Sequence, residues 1–144
     1  MGTRQTTVYV IDDDESVRKA FARLFRSANV NVMIFASPDE FLDTPIEDEH
    51  ACIVADIRMP GGTGFYLQER LSSSGLVLPV IVVSASDDNQ VRETARRLGA
   101  VSFFQKPVDD QALLDAVSWA IWGTQRSHER QLNERDDRHE EKRR

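Results

Sequence analysis

Five short runs of β-branched and other apolar residues alternate along the chain with longer stretches whose apolar residues recur every three or four positions. Few folds accommodate that alternation. The runs are Val8-Tyr9-Val10-Ile11, then 30–35, 51–55, 78–83 and 101–104. Between them, Val17, Ala20, Phe21, Leu24, Phe25 and Ala28 predict an amphipathic helix over 16–28. Ser37 at an N-cap and Pro38 at the first helical position open a short helix carrying Phe41 and Leu42. Pro60 with Gly61, Gly62 and Gly64 predicts a loop, and helical spacing resumes over 65–71. Val91, Ala95 and Leu98 form a fourth helix face that stops at Gly99, and Leu113, Leu114, Val117, Ile121 and Trp122 form a fifth.

Strand-helix units in succession, with near-continuously hydrophobic central strands, imply an α/β fold: a parallel sheet with helices on both faces. Right-handed crossovers leave few ways to connect it, one of them the flavodoxin-like order 2-1-3-4-5. The pattern fixes the class and leaves the order open.

At 144 residues the chain has the length of one domain, and 40% hydrophobic residues suffice for one core. Its formal net charge is -6, whereas a nucleic-acid binder shows a basic excess. The charge is uneven: residues 1–124 hold 11 basic and 18 acidic residues, a body of -7, and the last 20 residues are near neutral. In that tail 13 of 20 residues are charged and Leu132 is the one large apolar side chain, so it cannot build a core. Residues 1–123 are expected to form the domain, and 124–144 a charged extension of the last helix, a linker or a disordered tail. Continuing the fifth helix at heptad spacing places His128 and Arg135 after Leu114 and Ile121, which argues against a sustained coiled coil.

Cys52, the single cysteine, lies in an apolar run and reads as an inert core thiol. No apolar run approaches the ~20 residues of a membrane span, and residues 1–6 carry no apolar signal segment. The expected location is cytoplasmic, without membrane attachment.

In an open parallel sheet, ligands bind beyond the carboxyl ends of the strands. There the sequence places Asp12 and Asp13, then Asp56, Ser84, and Lys106-Pro107 after Phe103 and Phe104. Asp14 and Glu15 read as first-turn acids favoured by the helix dipole. Crowded carboxylates repel unless a cation is present, and a few hard oxygens suit Mg²⁺. A metal beside a carboxylate nucleophile, with an amine and a hydroxyl at hand, is an arrangement for phosphoryl transfer to an aspartate.

The pattern Val10-Ile11-Asp12-Asp13-Asp14, then Asp56-Ile57-Arg58-Met59-Pro60 with Gly64, Ser84-Ala85, and Phe103 to Lys106-Pro107 resembles the receiver domain of two-component response regulators, over roughly residues 6–123. The stretches 56–61 and 99–107 most resemble the FixJ-like branch, whose members are mostly transcription factors. The resemblance implies a three-layer sandwich of five strand-helix units with strand order 2-1-3-4-5. It makes Asp56 the phosphoacceptor, attacking the phosphohistidine of a sensor histidine kinase. Asp13, Asp56 and the backbone carbonyl of Arg58 would ligate Mg²⁺ or Mn²⁺, with Asp12 acting through a bound water. Lys106 would pair with the phosphoryl group across a cis bond to Pro107. Ser84 and Phe103 would be the switch, altering the surface of the fourth helix, fifth strand and fifth helix, where phosphorylation-dependent homodimers form.

Two small departures from the family pattern are Ser84, where Thr is commoner, and Phe103, where many relatives have Tyr. Phe103 is also readable as plain core. A FixJ-like transcription factor would continue into a helix-turn-helix domain, so DNA contact is expected only through a domain outside these residues. A stand-alone regulator acting by protein contacts is the alternative output. The protein is not expected to be an enzyme beyond self-catalysed chemistry at Asp56. An aspartyl-phosphate phosphatase is disfavoured because Arg58 stands where Asp-x-Asp needs a second acid, and flavin binding because the acids at 12–15 would repel a phosphate.

Overall fold

A computed structural model describes residues 6–46, 50–57, 65–85 and 89–123. Residues 58–64, including Arg58, 86–88 and 124–144 lie outside the described residues, and with them the expectations placed there. The elements are β1 (Thr7–Ile11), α1 (Glu15–Ser27), β2 (Asn31–Phe35), α2 (Pro38–Leu42), β3 (Ala51–Asp56), α3 (Tyr66–Ser74), β4 (Val80–Ser84), α4 (Asn89–Arg97) and β5 (Ala100–Gln105). Residues 110–123 form a further helix, α5. All strand pairs are parallel and the order is β2-β1-β3-β4-β5.

Local chemistry explains most boundaries. The Asp14 carboxylate accepts from the Ser16 and Val17 amides, so Asp14 is the N-cap of α1 and not a first-turn acid; Glu15 occupies the first turn. Ser37 caps α2, and Glu40 reaches back to the Ala36 amide. Gly75 and Gly99, at φ 78 and 101, end α3 and α4 in the left-handed region that a side chain resists.

The sheet separates two apolar clusters. On one face Tyr9, Ile11, Phe41, Ile53, Leu67, Leu71, Val82 and Ala95 join α2, α3 and α4 to the strands. On the other Val8, Val10, Phe25, Val54, Ile81, Val83, Leu113, Val117 and Ile121 join α1 and α5. β1, β3 and β4 are buried along their whole length because both faces are covered. At the margins, β2 exposes Met33 and Ile34. β5 carries one extra residue against β4, Val80 pairing with Ala100 and Ile81 with Ser102, which makes Val101 a half-exposed bulge.

One expectation about α5 is corrected. Its inner face holds Leu113, Val117, Ala120 and Ile121, whereas Trp122 is 59% exposed. Ala120, three residues after Val117, completes the buried stripe, and Trp122 lies off it.

Cys52 is buried in the α1/α5-facing cluster, and burial pushes its thiol up to about 12. Native protein is expected to show no reaction with a thiol reagent such as Ellman's reagent at pH 8–9, and one equivalent after unfolding in urea. Appreciable native labelling would contradict this packing.

Candidate functional site

Strand register assembles the site. β1 pairs with β3 through Ile11 and Ala55, so the residues that follow, Asp12 and Asp56, leave the sheet side by side. Asp56 pairs with Val83, and Ser84 with Gln105, so Ser84 and Lys106 reach the same carboxyl edge. The ladders continue past the strands: the Asp12 amide donates to the Phe35 carbonyl at 3.1 Å, Ile57 to Val83 at 3.3 Å and Lys106 to Ser84 at 2.7 Å. Backbone bonds thereby place the side chains of Asp12, Asp56, Ser84 and Lys106 before those side chains interact.

The Lys106 ammonium donates at 2.8 Å to Oδ2 of both Asp12 and Asp56. Asp12 is 1% exposed and Asp56 7%, while the Lys106 side chain keeps 20%. Burial raises the Asp12 carboxyl above its ordinary range, outweighing the downward pull of its bonds to Lys106 and the Asp14 amide. Burial also disfavours the charged ammonium, but two carboxylate acceptors hold the Lys106 pKa above its ordinary value. Arg18, in the first turns of α1, donates to the Asp12 carbonyl at 2.8 Å and closes one side.

Asp12, Asp13 and Asp56 bring carboxylate oxygens within 4.8 Å of one another, with Asp13 exposed and the other two buried. Three carboxylates against one ammonium leave two negative charges, the charge of a divalent cation, and the donors are hard oxygens open to solvent at Asp13. The residues present therefore fit a metal ion.

Ser84 is fully buried at the end of β4. Strand alternation puts it on the same face as Val82, the side covered by α3 and α4. Phe103 packs at the margin of that cluster and is partly exposed, its ring 4.9 Å from the Arg92 guanidinium on α4. The Lys106–Pro107 bond is cis. Asp12, Asp13, Asp56, Ser84 and Lys106 thus converge, and Phe103 lies on the adjacent α4-facing side. Sequence reading missed Arg18, which offered no signal beyond its place in the first turns of a helix.

Removing the ammonium strands two buried carboxylates. Lys106→Met is expected to lower stability at pH 7 by about 3 kcal/mol, with most of the loss recovered when a divalent cation is added. Urea melts with EDTA and with Mg²⁺ test this, and an unchanged midpoint in EDTA would contradict it.

Comparison with known proteins identifies the family. The family described as response regulator receiver domain matches residues 8–118. The transcriptional regulatory protein TdiR of Thauera aromatica is 43% identical over 116 residues, covering 81% of this chain and 51% of TdiR. The transcriptional regulatory protein FixJ of Azorhizobium caulinodans is 40% identical over 110 residues, 76% of this chain and 52% of its own. Among solved structures, FixJ-N superposes with a TM-score of 0.76 at 29% identity, covering 83% of this chain and 95% of that one. The chain spans about half the length of these curated relatives. With its parallel 2-1-3-4-5 sheet and an acidic cluster at the strand ends, the chain belongs to the response regulator receiver domains and is related to FixJ.

Proposed function

We propose that this domain accepts a phosphoryl group on Asp56 from the phosphohistidine of a sensor histidine kinase. The observation that carries the reading is the double contact of Lys106 with Asp12 and Asp56 at the mouth of an acidic cluster. An Asp56 oxygen attacks phosphorus, an O–P bond forms, the N–P bond breaks, and the imidazole leaves with the bonding pair. Asp12, Asp13 and Asp56 would hold a Mg²⁺ or Mn²⁺ ion, which would neutralise charge on the transferring group when bound. The Lys106 ammonium is already within bonding range of the nucleophile, so it turns onto a phosphoryl oxygen without a large movement. The Ser84 hydroxyl donates to another.

Ser84 and Phe103 are the switch of this reading. A hydroxyl drawn toward the phosphoryl group withdraws from the α4 side, and the Phe103 ring moves into the space, changing its contact with Arg92. The responding surface is α4, β5 and α5, where a phosphorylated homodimer forms. TdiR and FixJ are named transcriptional regulatory proteins, and the stretch matched here covers about half of each, which supports output through a DNA-binding domain following residues like these. In that reading residues 1–123 are the receiver and 124–144 the connection. No helix among the described residues is long and apolar enough to cross a membrane, and the expected location is the cytoplasm. The chemistry is a single event at Asp56, reversed by water attacking phosphorus, without turnover of an outside substrate.

With acetyl phosphate and Mg²⁺ the intact mass is expected to rise by one phosphoryl group, and Asp56→Asn to gain none. EDTA abolishes the gain. An Asp56→Asn protein that is still modified ends the proposal. Ser84→Ala is expected to accept the group yet lose the phosphorylation-dependent change in elution volume, measured by size exclusion with beryllofluoride as the phosphoryl surrogate.

A further inference from the structure

The three carboxylates of the acidic cluster are held to different degrees. Oδ2 of Asp12 and of Asp56 accepts from the Lys106 ammonium, and Oδ1 of Asp12 accepts from the Asp14 amide. Asp13 is exposed, and its carboxylate makes no hydrogen bond or ion pair among the described residues. Its direction is therefore set by the backbone that carries it, above all by the peptide unit joining Asp12 to Asp13.

That peptide unit lies where the ladder between β1 and β2 gives out. The Asp12 amide bonds to the Phe35 carbonyl, so a continuing parallel ladder would bring the Ser37 amide to the Asp12 carbonyl. Ser37 instead serves as the N-cap of α2, and no backbone amide among the described residues reaches that carbonyl. Nη1 of Arg18 takes the place, donating at 2.8 Å from α1. A planar peptide unit moves as one piece, so a fixed Asp12 carbonyl also fixes the Asp13 nitrogen and, with it, the start of the Asp13 side chain.

We propose that Arg18 is a positioning residue for the metal site, a clamp on the Asp12–Asp13 peptide that aims the Asp13 carboxylate at a divalent cation shared with Asp12 and Asp56. The inference rests on the reading of the acidic cluster as a divalent-metal site. Charge alone predicts the opposite sign, because a guanidinium beside a cation site repels the ion. Partners that orient a ligand raise metal affinity without touching the metal, and here the orientation outweighs the repulsion.

Mn²⁺ binding by the 144-residue chain, read from the EPR signal of the free ion, tests the clamp without any phosphodonor. Arg18→Met keeps the aliphatic stem, removes donor and charge together, and is expected to bind about ten-fold more weakly than the wild type. Arg18→Lys keeps the charge and a donor on a stem one bond shorter, and its affinity is expected to fall between the two. Equal or tighter binding by Arg18→Met overturns the proposal, tighter binding being what loss of a repelling charge alone would give. Arg18→Lys binding no better than Arg18→Met overturns it too. Should Arg18→Met fail to fold, ¹⁵N spectra of the wild-type arginine side chains decide. Resolved, slowly rotating Nη signals of Arg18 are expected to persist with Mg²⁺, and averaged signals overturn the clamp. If the wild type binds no Mn²⁺, the metal-site reading fails and the clamp with it; if it binds and Arg18→Met binds equally, the clamp alone fails.

Discussion

Two carboxylates leave the sheet side by side because their strands are neighbours, and one ammonium stands between them. The contact of Lys106 with Asp12 and Asp56 is the constraint on which the upper rim depends. Like charges at this separation and burial would otherwise drive the ends of β1 and β3 apart or force one group to hold a proton. β5 must therefore finish where it does, since it delivers the cation. The bond from the Lys106 amide to the Ser84 carbonyl fixes that delivery by backbone alone. Fold and site are one arrangement here: a shift of β5 along β4 by one residue would break the charge balance as well as the ladder.

Consecutive acids at the end of β1 divide the work. Asp12 turns inward to the ammonium, Asp13 stays in solvent at the mouth of the cluster, and Asp14 caps α1. Bonds from the Ser16 hydroxyl and from the Ser16 and Val17 amides hold the Asp14 carboxyl below its ordinary range, so the cap stays charged. Residues adjacent in sequence face different environments because the chain bends out of a strand and into a helix within them.

Much of this was legible in the sequence. Buried parallel strands announce themselves by apolar runs such as Val80 to Val83, and strand-end chemistry by the abrupt change to Asp12, Asp56 and Ser84. Strand order came from resemblance, since periodicity does not encode which strands touch. Trp122 was misplaced because it stands one position after Ile121 and five after Val117, off the stripe of Leu113, Val117, Ala120 and Ile121 that faces the sheet. Gln68 escaped notice for the opposite reason. A polar residue on an apolar face reads as a lapse in the pattern, and the bond from the Gln68 Nε2 goes to the Ala95 carbonyl, 27 positions away. Contacts between helices that meet only in space leave no mark in spacing.

The bulge at Val101 bears on how the molecule meets others. An edge strand of regular pitch offers a row of unpaired amides and carbonyls that invites another strand to extend the sheet. The extra residue in β5 interrupts that row near its start and turns the Val101 side chain outward. A partner arriving at this margin is thus steered toward side chains and away from backbone. Recognition there can then follow changes in side-chain position such as those around Phe103 and Arg92, where a strand added through its main chain would have been indifferent to them.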